Sequence, residues 1–229
     1  MPRPSSCDVS SLLSRLAERP RVWPKQQEWL LAELAVIIEQ SDRMTLGRVQ
    51  AALAPDTLLG LPGATRLLLG LVHDSIPPAA MLSSDLAQQE LVAAQACRVI
   101  HGMISGHKGL HASVVDGGVV PLMAMVLIVA ANAATHVRAL STLGAVLRSS
   151  DPAVREQLRE AATDAGVADA TLCSLRAHPA SSEVQQRGME VLAALVVDGG
   201  APACAALQAG CVDAAASALR HGRLAPSRS

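Results

Sequence analysis

The sequence contains no phenylalanine and no tyrosine, and tryptophan occurs only at Trp23 and Trp29. Aromatic side chains normally supply the large rigid volumes of a core and the anchors of an interface. Here leucine, alanine, valine and methionine must do the packing, and Ala-rich helices, which approach closely, suit that composition. A β-sandwich is disfavoured on the same ground, because strands favour aromatic and β-branched residues. Excess charge of one sign is also lacking. Nineteen basic and 20 acidic residues leave a net charge of −1 and a pI of about 6.6. That balance gives no general drive toward nucleic acid or an acidic membrane. Lys and Arg are scattered, with neither a basic stripe nor an aromatic platform for stacking bases.

Cysteine is sparse, odd in number and widely spread: Cys7, Cys97, Cys173, Cys204 and Cys211. The opening Met1-Pro2-Arg3-Pro4-Ser5-Ser6 lacks the apolar run of a secretory signal. Both features predict a reducing, cytoplasmic compartment. One segment, Gly117 to Val137, has no Asp, Glu, Lys or Arg. It is nevertheless divided by Gly117-Gly118, Pro121, Asn132, Thr135 and His136 into two shorter helices, so no membrane span is expected.

Catalytic signatures are missing too. There is no G-x-x-x-x-G-K-[ST] loop, no H-E-x-x-H and no G-x-S-x-G, so neither an enzyme nor a cofactor is expected. Glu156, Glu160 and Asp164, flanked by Arg155 and Arg159, read as a charged outer helix face. The alternative chemistry is a metal-binding or enzymatic module centred on Cys97, His101, His107 and His111. Cys97 and His101 stand one helical turn apart, and these are ligand types that zinc accepts.

What is present is repetition. Gly117-Gly118-Val119-Val120-Pro121-Leu122-Met123, Gly166-Val167-Ala168-Asp169-Ala170-Thr171-Leu172 and Gly210-Cys211-Val212-Asp213-Ala214-Ala215-Ala216 share one phrase. A fourth copy begins at Gly63, and the leading glycines lie 54, 49 and 44 residues apart. Longer helices repeat as well. Residues 138–146 match 187–195 at an offset of 49, and Val92 to Ile100 matches loosely. Such a period predicts stacked helical units, each unable to bury its apolar face alone.

Four regions follow. Residues 1–23 are a mobile N-terminal segment with a short helix. Residues 24–60 form a degenerate helical unit, with helices from Pro24 to about Gln40 and from Thr45 to Leu53. Residues 61–222 hold the repeats, and 223–229 form a disordered tail. Trp29 is expected in the core of a terminal unit, its alternative role being an interface anchor. Further helices are expected over Ala64–His73, Ser84–Met103, Val120–Val129 and Ala134–Arg148. Another starts at Ser150-Asp151-Pro152 and ends near Gly166. One more ends at His178-Pro179, and a last long one is capped by Ser181 or Ser182 and reaches Val197.

Taken together, the phrases resemble an armadillo repeat, whose short second helix has the form G-x-V-P-x-L-V-x-L-L and whose longer third helix lines a groove. The resemblance covers about residues 60–222, and HEAT-like stacking is its nearest rival. It implies an all-α, right-handed α-solenoid acting as a non-enzymatic scaffold or adaptor that binds protein through its groove or an apolar end. Peptide-binding armadillo proteins carry a Trp and an Asn four residues apart on the third helix. The equivalent pairs here are Ser141 and Ala145, Glu190 and Ala194, and loosely Gln95 and Val99, so the ladder is missing. The candidate protein-binding groove residues are Gln95, Arg138, Ser141, Arg187 and Glu190. The C-terminal unit, Ala203 to Leu219, carries few charges, which predicts docking onto a partner or self-association.

Overall fold

A computed structural model describes residues 12–13, 15–16, 24–40, 64–74, 83–106, 117–149, 152–197, 203, 208, 210–213 and 216. Among the described residues, eight helices of 11 residues or more are delimited, and no strand occurs. They are α1 (Pro24–Gln40), α2 (Ala64–Asp74), α3 (Ser83–Gly106), α4 (Val119–Val129), α5 (Ala133–Leu147), α6 (Pro152–Asp164), α7 (Val167–Ala177) and α8 (Ser182–Val196). The protein is therefore all-α over these residues, and the chain divides into two compact units, Met1–Val119 and Val120–Ser229. The expected helix from Thr45 to Leu53, the caps at Ser150 and Asp151, His107 and His111 lie outside the described residues. So do the 223–229 tail and most of the last unit.

The repeat period has a structural counterpart in helix length. The short phrases at 63, 117 and 166 become α2, α4 and α7, each of 11 residues. The longer matching segments fall in α3, α5 and α8, of 24, 15 and 15 residues. A glycine sets the turn into α4 and α7, and another stands at the start of the third phrase. Gly118, Gly166 and Gly210 have φ of 77°, 62° and 94°, a left-handed conformation in which a Cβ is penalised. In the first copy the turn residue is thus Gly118, one position after the glycine that the repeat pattern aligns.

In the first unit, α3 packs against both α1 and α2. On α1 the apolar residues Leu30, Leu31, Leu34, Ile37 and Ile38 recur at helical spacing and are all buried, each burial contributing roughly 1.5–3 kcal/mol. Gly102 permits the approach of α1 to α3, since a Cβ there would lie 2.9 Å from Ile38 Cγ2. Gln88 of α3 donates to Glu28 of α1 at 2.8 Å. Trp29 departs from expectation: it is 54% exposed, not core. The stripe facing α3 runs through Leu30, Leu34 and Ile37, which turns Trp29 and Val36 outward. The Arg15 guanidinium stands 5.9 Å from the Trp29 ring, within cation–π range.

In the second unit, α5 packs along α8, α7 packs on α8, and α6 touches α5 and α7. Asn132 caps α5 by accepting from the Ala134 amide at 2.9 Å. Ser181, rather than Ser182, caps α8 by accepting from the Val184 amide. The end of α7 is closed from outside. Gln185 of α8 donates its side-chain amide to the carbonyls of Leu175 and His178, at 2.8 and 3.1 Å, satisfying acceptors that a helix end leaves open. Gly188 lets α7 and α8 approach, because a Cβ there would stand 2.5 Å from Leu175 Cδ2.

Candidate functional site

The matched helices α5 and α8 carry corresponding stripes. Arg138, Ser141, Ala145 and Arg148 follow one another at three- or four-residue steps along α5 and its C-cap. At the repeat offset they correspond to Arg187, Glu190, Ala194 and Val197 along α8 and its C-cap. Residues at that spacing share a helix face. Where the C-terminal halves of the stripes meet, an open concavity of about 460 Å³ forms. Its walls are Leu147, Arg148 and Ser149 at the end of α5, Arg155 of α6, and Glu190, Ala193, Ala194 and Val197 of α8.

The concavity is an apolar floor with a charged margin. Leu147, Ala193, Ala194 and Val197 supply the floor, and Val197 is 77% exposed. Glu190 anchors the margin, its carboxylate accepting from Arg187 at 2.9 Å and from Gln186 at 3.2 Å. Arg148 stands at 4.0 Å from the same carboxylate, the limit of an ion pair. Burial pushes the Glu190 carboxyl up. The hydrogen bonds from Arg187 and Gln186 and the charges of Arg187 and Arg148 outweigh that and hold it below its ordinary value. The Arg148 guanidinium lies back along α5 beside Gly144, one turn before it, where a Cβ would make only an ordinary contact with Arg148 Nη2 at 3.6 Å.

Of the groove residues expected from sequence, Arg187 and Glu190 are joined by an ion pair, and Glu190 lines the concavity. Arg138 is exposed and Ser141 half-buried on α5, and neither lines it. Gln95 is half-buried on α3, in the other unit, and its Oε1 has no hydrogen-bond partner among the described residues. Arg148, Ser149, Arg155 and Val197 were not among the expected residues. The signal for two of them lay in the period itself: extending both stripes by one turn reaches Arg148 and Val197.

A second polar centre in this unit is wholly internal. His136 is 2% exposed, with Nδ1 2.7 Å from Ser174 Oγ and Nε2 2.9 Å from the Ala130 carbonyl. A carbonyl only accepts, so Nε2–H donates to it, and in the neutral ring Nδ1 accepts from the Ser174 hydroxyl. His178 packs edge-on, with ring centroids 4.4 Å apart. A serine bonded to a histidine has the parts of a nucleophile and base, but Ser174 has no exposed surface through which a substrate could reach it. The arrangement joins α5 to α7.

The metal alternative finds little footing in the described part of its ligand set. Cys97 is completely buried, and burial, opposed by a backbone hydrogen bond, pushes its thiol up to about 12. Metals bind the thiolate, which such a site disfavours. His101, one turn on, is half-buried and within 3.4 Å of Ser105 Oγ. No cluster of three or more His, Cys, Asp or Glu suited to a metal occurs among the described residues. Nor, among them, is any helix long and apolar enough to cross a membrane. Cys97, Cys173 and Cys211 form no disulfide among the described residues.

No family model matches the chain, and no curated protein matches it. Among solved structures, the chain is similar to an engineered protein determined by the Northeast Structural Genomics Consortium. The two share 17% identity at a TM-score of 0.56, over 94% of this chain and 96% of that one. At that identity the likeness concerns the fold alone.

Proposed function

We propose that this chain is an armadillo-like α-solenoid acting as a non-enzymatic, cytoplasmic adaptor, and that it binds a protein partner in the concavity between α5 and α8. One observation carries the reading: the concavity opens between the two helices that match at the repeat offset. Helices of that class line the groove in the family that the sequence resembles. Glu190 and Ala194, at positions where peptide-binding relatives place Trp and Asn, both border it. Solenoids leave such surfaces open because each unit is buried mainly by its neighbours. Val196 and Val197 at the end of α8 are both exposed, and Val197 belongs to the lining. A metal-dependent activity at Cys97 and His101 is the weaker reading, because the thiol is buried and held protonated.

The test is affinity capture from native lysate with the full chain, its Ala194→Arg variant and its Trp29→Ala variant. Ala194 is half-exposed on the concavity, so a long side chain fills the groove without entering the core. The expected result is a partner held by wild type and Trp29→Ala but lost from Ala194→Arg. A partner kept by Ala194→Arg and lost from Trp29→Ala moves the binding surface to the first unit.

A further inference from the structure

We draw no further inference here: the strongest candidate, the side-chain cluster of His136, Ser174 and His178 where α5 meets the end of α7, offers a ligand no way in to His136 or Ser174, which are 2% and 0% exposed, and a pH response there would rest on titration alone.

Discussion

The two units are held together by different chemistry. In the first, every buried side chain described is apolar, from Leu30 and Leu34 on α1 to Ile100 and Met103 on α3. In the second, the buried set also includes Thr135, His136, Thr142, Ser149, Thr171 and Ser174. Aliphatic packing is tolerant, since any side chain of suitable volume and pattern serves. A buried hydrogen bond is not, because removing one partner strands the other. The first unit is therefore specified by volume and the second by volume and direction. The second unit is also where a charged concavity sits, between helices whose relative position the His136–Ser174 contact helps to fix through α7.

The largest effect expected is loss of volume in either core. Leu34→Ala and Leu140→Ala each remove a fully buried side chain and should cost about 2–5 kcal/mol, read from denaturant midpoints. Volume-conserving changes separate the units. Leu31→Met should cost less than about 1.5 kcal/mol in the first. His136→Leu should cost about 1–3 kcal/mol or more in the second, since it strands the Ser174 hydroxyl and the Ala130 carbonyl. Equal costs for these two substitutions would erase the distinction. The same logic predicts a gain elsewhere. Thr171 is fully buried and its hydroxyl has no hydrogen-bond partner among the described residues, so Thr171→Val should be neutral or stabilising.

Glycines sharpen the comparison within the second unit. Gly188→Ala should destabilise by about 1–3 kcal/mol, because Leu175 must yield. Gly144→Ala, where the nearest atom is at 3.6 Å, should gain up to about 1 kcal/mol from helix propensity. The smallest effect is electrostatic. Glu190 titrates below its ordinary value of 4.5. Its contribution is thus complete above that value and is lost as pH falls through the lower folded-state value. Glu190→Gln should flatten only the acid limb of a stability–pH profile, and by little, because the carboxylate is partly exposed and screened.

Much of the helical order was legible because it rests on local signals. Glycines before the short helices, Pro152 at a first turn and Ser181 at a cap each act within a few residues. Burial was less legible, because it depends on which face a neighbour covers. Trp29 looks like core by composition, yet α3 covers the opposite side of α1. At the repeat offset Gly144 corresponds to Ala193 and Leu147 to Val196, but the α5 members are buried and the α8 members exposed. Matching phrases cannot record that difference. The candidate site shows the same division. Arg187 and Glu190 followed from register, whereas Arg155 enters from α6, at no repeat-related position, and only the fold brings it to the concavity.

The most direct test of the groove as the functional surface is amide hydrogen exchange on the full chain, alone and bound to the partner captured by wild type. New protection is expected at residues 145–149, 153–155 and 187–197, with α1 and α3 unchanged. Protection centred on Trp29, Val36 and Leu91, with those segments unchanged, would contradict it.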